Sequence, residues 1–281
     1  MRTIEDAIGL AATKIANDID ANCIVSVTGM NNKKEGIEED HLHLDVQVAI
    51  FKQVKKGVYS KIDYQTSISK VSYGSIVPIK EILMEGISKN YIKKGDKVVC
   101  AADASIGSGY KGLLFVFDVD RVFFNISTHN LAEKTSPDVI ETLVNIALEI
   151  SKEGREGRRV GTAFVIGDKQ EILKYIKQLI INPFAGYPES VRKITNPALK
   201  ETIKEFSQLD GVFVVDNSGM VVTSGAYIDI PTLDLEMPQG LGTRHRSCAA
   251  ITKETGSIAI VVSQSGSVRV LKSGKIVLKL Q

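Results

Sequence analysis

The run Gly242-Thr243-Arg244-His245-Arg246 places two guanidinium groups and an imidazole within five residues, about thirty positions after Asp210-Gly211-Val212. Gly240-Leu241-Gly242 gives a ligand room to approach the backbone, and the following residues, Thr243 to Thr255, read as a helix with Gly256 past its end. A helix N-terminus carries uncommitted N–H groups and a partial positive charge, so it favours anions. Two arginines there oppose the helix dipole, which points to an anionic ligand, and guanidinium forks match phosphate oxygens. The ordinary alternative is a pair of surface arginines in ion pairs beside a satisfied histidine. Asp210-Gly211 alone reads as a turn. Beside phosphate-binding arginines, the same carboxylate would hold a divalent cation or accept a proton from an attacking hydroxyl. His245 fits either a second metal ligand or a further phosphate contact. The chemistry these residues suit is chemistry on a polyphosphate.

Two other constellations carry less. Gly107-Ser108-Gly109-Tyr110-Lys111-Gly112 matches the dinucleotide-binding pattern, but it joins two strand-like runs and no helix follows it. It reads as a wide hairpin connection. His41, His43 and Asp45 alternate with Leu42 and Leu44, which reads as the solvated face of a strand rather than a metal trio.

The elements that must position these residues follow from periodicity and punctuation. Ile4, Ile8, Ala11, Ile15 and Ile19 recur at helical spacing behind Thr3 as N-cap, and Cys23 to Thr28 follows as a strand before a polar turn from Gly29 to Lys34. Leu42 to Ile50 alternates as a half-buried strand, a helix runs from about Ile79 to Lys89, and Lys97–Ala101 and Leu113–Val119 are strands. Ser127 to Thr135 reads as a polar connector. Ser136-Pro137 opens a long helix ended by Gly154, followed by a strand over 161–166, helices over 169–181 and 197–208, and a hairpin turning at Asp216-Asn217-Ser218-Gly219. After the helix at Thr243, strands at 258–263, 268–272 and 276–280 form a closing meander. The fold expected is α/β in two domains, 1–126 and 127–281, the second a mixed β-sheet flanked by helices.

A chain of 281 residues is long enough for two buried cores, and its net charge of +2 argues against a general nucleic-acid coat. The acidic start Met1-Arg2-Thr3-Ile4-Glu5-Asp6 is unlike a signal peptide, and no apolar run approaches the about 20 residues of a membrane span. Cys23, Cys100 and Cys248 are far apart, odd in number and set in apolar runs. These features lead us to expect buried, reduced thiols in a cytoplasmic protein that binds neither nucleic acid nor membrane.

With these residues in place, residues 127–281 resemble the catalytic domain of diadenylate cyclases. That family carries an Asp-Gly-Ala motif followed by Gly-Thr-Arg-His-Arg. Here the first reads Asp210-Gly211-Val212 and the second is intact, with similar supporting segments at Arg155–Thr162 and Ile181–Phe184. The resemblance implies a nucleotidyltransferase that condenses two ATP into cyclic di-AMP, a second messenger, with release of two pyrophosphates. It implies a homo-oligomer in which two protomers meet face to face, each holding one ATP. By the same resemblance Asp210, Gly211, Arg244, His245 and Arg246 carry the reaction. Val212, Tyr227, Gly242, Thr243 and Ser263 line the substrate, with Tyr227 against adenine. Asp210 and His245 hold a divalent metal, Mn²⁺ or Mg²⁺. Val212 stands where alanine is usual, and Gln264 follows Ser263 where membrane-bound members carry a metal-coordinating glutamate.

The N-terminal domain is similar to the C-terminal regulatory domain of pyruvate kinase, through the opening helix and strand and Ile92-Lys93-Lys94-Gly95-Asp96-Lys97-Val98-Val99. That pairing resembles the archaeal type of cyclase and implies an oligomerisation or effector-sensing module. Two rival readings remain at this point. One is a catalytically silent nucleotide or cyclic di-AMP sensor, favoured by Val212 and Gln264. The other is a nucleic-acid binder, against which the modest charge and the lack of a basic stripe with interleaved aromatics weigh.

Overall fold

A computed structural model of the chain describes residues 3–30, 43–69, 76–104, 111–231, 235 and 237–280. The chain separates into two compact units, 1–128 and 129–281. His41, residues 31–34 of the first polar turn, and residues 107–110 of the glycine-rich run lie outside the described residues.

The first unit contains α1 (Ile4–Asp18), β1 (Cys23–Gly29), β2 (His43–Lys55), β3 (Val58–Ser69), α2 (Val77–Ser88), β4 (Lys97–Ala102), β5 (Leu113–Asp118) and α3 (Arg121–Thr128). Thr3 and Asp6 cap α1 reciprocally, each side chain bonding the other's backbone N–H. The sheet order is β3-β2-β1-β4-β5, with β1 and β4 parallel and the other pairs antiparallel. The alternation from Val46 to Ile50 buries Val46, Val48 and Ile50 completely. Ala12 and Ala16 of α1 pack on Ile24, Val99 and Ala101, joined by Phe51, while Ile50 lies beside Gly86 of α2. Neighbouring residues of β2 therefore meet different helices, one on each face.

The second unit contains α4 (Pro137–Glu153), β6 (Thr162–Gly167), α5 (Lys169–Leu173), β7 (Ile176–Gln178), α6 (Glu189–Arg192), α7 (Leu199–Phe206), β8 (Val212–Asp216), β9 (Val221–Ile228), α8 (Thr243–Thr255), β10 (Ile258–Val262), β11 (Val268–Lys272) and β12 (Lys275–Leu280). Its sheet runs β12-β11-β10-β6-β8-β9-β7, mixed because β6 and β8 are parallel while the other pairs are antiparallel. Strand alternation sends Ala163 and Val165 to one face and Phe164 to the other. The first face packs Ile172 of α5 and Cys248, Ala249 and Ile251 of α8. On the second, Phe164 stacks on Phe213 with ring centres 5.0 Å apart, and Phe184 links Phe213 to Phe206 of α7. Lys204, with its side chain only 7% exposed, ties α7 to α4 through Glu149 at 2.8 Å and Glu153 at 3.0 Å. The observed class is α/β, with the mixed sheet of the second unit flanked by helices.

Several local expectations need correction. The segment expected as one helix over 169–181 is a five-residue helix followed by β7. Asp168 caps its start through Gln170 and Glu171, but Ile176–Gln178 pairs with Ala226–Ile228 at the sheet edge instead of continuing the helix. Leu179 and Ile181 are exposed, so no buried helical face exists there to sustain one. Ser127 belongs to α3, which starts behind Asp120 as its carboxylate accepts from the Phe123 N–H at 2.7 Å, and does not belong to a connector. Ser136 stands at the N-cap of α4, but its side chain makes no capping bond.

Candidate functional site

The starts of β6 and β8 and the ends of β9 and β10 lie at one end of the sheet, because Thr162 pairs with Val262 and Val212 with Ala226. The first turn of α8 meets them there and they enclose an open cavity of about 590 Å³. Asp210, Gly211, Val212, Tyr227, Gly242, Thr243, Arg244, His245 and Ser263 all line it. Nine of the ten residues singled out from the sequence are thus brought together.

Gly211 makes the approach of the Asp210 segment possible. Its φ is +104°, and a Cβ there would fall 2.5 Å from the Ala226 carbonyl oxygen and 2.6 Å from the Ala226 nitrogen. Only glycine fits at that position. The Asp210 carboxylate is 99% exposed and stands 3.9 Å from Nη2 of Arg244. Gly242 is the N-cap of α8 and, having no side chain, leaves the helix uncapped, so its first N–H groups remain open to a ligand. Arg244 reaches back from this turn to the start of β6, where Nη1 would lie 2.9 Å from a Cβ at Gly161. Tyr227 is 45% exposed on β9.

His245 is buried, 6% exposed, and its Nε2 lies 3.1 Å from Nη1 of Arg269. A guanidinium only donates, so Nε2 accepts and the ring proton sits on Nδ1. Burial, then the charges of Arg269 and Arg244, push the imidazole down to about 4, so it is neutral near pH 7. This bears on the expected metal pair. The nitrogen facing the cavity arginine is already engaged, and two fixed positive charges oppose a cation at the ring. No three His, Cys, Asp or Glu side chains converge on a metal-sized site among the described residues. Among the described residues, Asp210 is the one carboxylate on the cavity wall.

Arg246 is the residue the structure does not bring in. Two positions past Arg244 it is turned by about 200° around the helix, and it is absent from the cavity wall. The guanidinium that joins Arg244 there is Arg269 of β11, opposite Val261 of β10. Leu179 and Gln264 also line the cavity. The signal for Arg269 was a single arginine among the buried Val268, Val270 and Leu271, but its direction depends on the pairing with β10 and the position of α8. Cys23, Cys100 and Cys248 are buried and unpaired, and burial pushes all three thiols up, Cys23 and Cys248 to about 12. They stay protonated and take no part in the site. No helix among the described residues is long and apolar enough to cross a membrane.

Fold and site together define an α/β domain with an anion-collecting cavity at one end of its sheet. The chain belongs to the diadenylate cyclase family. Residues 149–276 match the family described as DisA bacterial checkpoint controller nucleotide-binding. The protein named diadenylate cyclase from Methanocaldococcus jannaschii is 37% identical over 199 residues, covering 69% of this chain and 63% of that protein. The diadenylate cyclase of Haloferax volcanii is 31% identical over 195 residues, covering 69% of this chain and 71% of that protein. The chain therefore spans a little under two thirds of the first relative and somewhat more of the second. Solved structures with partial likeness include a hypothetical membrane-spanning protein from Bacillus cereus, at 18% identity over 57% of this chain and 70% of that one, TM-score 0.39. Another is a double mutant of DacA from Staphylococcus aureus, at 17% identity over 50% of this chain and 85% of that one, TM-score 0.36.

Proposed function

We propose that this protein is a diadenylate cyclase, condensing two ATP into cyclic di-AMP with release of two pyrophosphates. The observation that carries the reading is the convergence of Asp210, Arg244 and the uncapped start of α8 on one cavity. Its volume of about 590 Å³ lies within the usual range of small-molecule pockets, about 300–1,000 Å³. One such wall per protomer suits one ATP, so two protomers facing each other complete the reaction, and the working form is a homo-oligomer.

The 3′-hydroxyl oxygen of each ATP attacks the α-phosphorus of the other. A new P–O bond forms, the bond to pyrophosphate breaks, and the hydroxyl proton leaves; repetition with the roles exchanged closes the ring. Arg244 and the N–H groups at the start of α8 bind phosphate oxygens and stabilise charge as the α-phosphorus becomes crowded. Asp210 orients the attacking hydroxyl and draws off its proton. Thr243 and Ser263 contact phosphate, Gly242 and Val212 shape the wall, and Tyr227 packs on adenine. His245 accepts a hydrogen bond from Arg269 through Nε2. A divalent cation, Mn²⁺ or Mg²⁺, would be held by Asp210 together with substrate phosphates, as hard cations with few protein ligands usually are, and would supply charge neutralisation.

We assign the N-terminal unit as a pyruvate kinase C-terminal-like module for oligomerisation or effector sensing, supported by its opening helix and its parallel β1–β4 pair. The catalytic reading is tested with Asp210→Asn. Turnover should fall at least about 100-fold while ATP binding persists. An Asp210→Asn protein making product at the parent rate would overturn the mechanism.

A further inference from the structure

The arginine on the wall besides Arg244 lies outside the Gly242–Arg246 run. Arg269 projects from β11, and its Nη1 donates to Ser267 Oγ at 2.7 Å and to His245 Nε2 at 3.1 Å. Those two bonds use both hydrogens of Nη1. The three hydrogens on Nη2 and Nε have no hydrogen-bond acceptor among the described residues, and no carboxylate there pairs with Arg269. A half-buried guanidinium that lacks a counter-ion yet is fixed at one nitrogen is unusual, because burying part of a charge costs free energy unless something pairs with it. Its fixed end also spares the ordering cost of a long side chain. Among the described residues the charged side chains on the cavity wall are Arg244, Arg269 and Asp210, two cations against one carboxylate.

We propose that Arg269 is the second guanidinium of the polyphosphate site. Held through Nη1 by Ser267 and His245, it presents its Nε and Nη2 edge to a phosphate as a bidentate fork. The inference rests on the nucleotide reading above and replaces Arg246 with Arg269 as the partner of Arg244. It also gives His245 a definite task, that of the hydrogen-bond acceptor that positions Arg269.

The test measures binding of inorganic triphosphate and of adenosine, separately, to the parent chain and to Arg269→Gln, Arg269→Lys, Arg246→Gln and Arg244→Gln. Thermal melts check that each is folded. Arg269→Gln should weaken triphosphate at least ten-fold and leave adenosine within two-fold. Arg269→Lys, which keeps the charge but loses the fork, should fall between, and Arg246→Gln should bind like the parent. A folded Arg269→Gln or Arg269→Lys protein that binds triphosphate like the parent, while Arg244→Gln does not, would overturn the proposal and spare the nucleotide reading. Unchanged triphosphate binding in all four variants would remove both. Equal loss of triphosphate and adenosine in a folded Arg269 variant would also overturn it, since that marks general distortion of the pocket.

Discussion

Replacing Gly161 with alanine should damage catalysis and spare the fold. Gly161 sits just before β6, and its missing side chain is the space Arg244 occupies. A Cβ there would fall 2.9 Å from Arg244 Nη1 and 3.1 Å from Gln264 Cγ. Ordinary contact begins near 3.4 Å, so the guanidinium must retreat by about 0.5 Å. Arg244 is the far end of a flexible side chain that is 28% exposed, so the retreat costs little stability. We expect the change to stay within about 0.5 kcal/mol. The catalytic consequence is larger, because a displacement of about 1 Å in a reacting constellation costs roughly 10²-fold. Half that displacement predicts a loss of about ten-fold in kcat, or about 1.4 kcal/mol of barrier. The assay compares pyrophosphate release at saturating ATP with a thermal melt of the same preparation. An unchanged rate beside a melt lowered by several degrees would show that Gly161 serves the fold and not Arg244.

Other perturbations separate stability from chemistry. Gly211→Ala puts a Cβ against the backbone of β9 at a φ of +104°. It should lower stability by about 2 kcal/mol or more in urea unfolding, with loss of activity in what remains folded. Lys204→Met removes the buried ammonium joining Glu149 and Glu153, and should cost on the order of 2 kcal/mol while activity per folded molecule is unchanged. The pH dependence follows from His245, whose folded value near 4 lies below its usual 6.5. Above about pH 6.5 the ring is neutral in both folded and unfolded chains. As the pH falls toward 4 the unfolded chain takes up the proton first, so stability drops by up to about 3 kcal/mol. Urea midpoints between pH 4 and 7 should therefore fall less steeply for His245→Gln than for the parent.

The sequence was most readable where local signals and tertiary context agree. α8 spans Thr243–Thr255 between Gly242 and Gly256, as the flanking glycines indicate. The Asp216 hairpin is equally local, since that carboxylate accepts from Ser218 and Met220 within four residues. By contrast, Ile172-Leu173-Lys174-Tyr175-Ile176 fits a helix or a strand, and only the free edge of β9 decides that Ile176 pairs as strand. β3 is as legible as β2, since Ile62, Tyr64, Thr66 and Ile68 alternate with Asp63, Gln65 and Ser67 and the less exposed positions follow that alternation; its register comes from β2. Within the site, motif residues were easy to find and their directions were not. The helical period alone separates Arg244 from Arg246. Arg269 is supplied by a strand whose position follows from the whole sheet, so no motif contains it.

The first measurement is to incubate the 281-residue chain with ATP and Mn²⁺ or Mg²⁺ and to follow cyclic di-AMP and pyrophosphate by mass spectrometry across enzyme concentrations. Two pyrophosphates should appear for each cyclic di-AMP, with a rate that rises more steeply than enzyme concentration where protomers are scarce. Tight ATP binding without either product, with both metals and at every concentration, would contradict the cyclase reading and leave a nucleotide sensor.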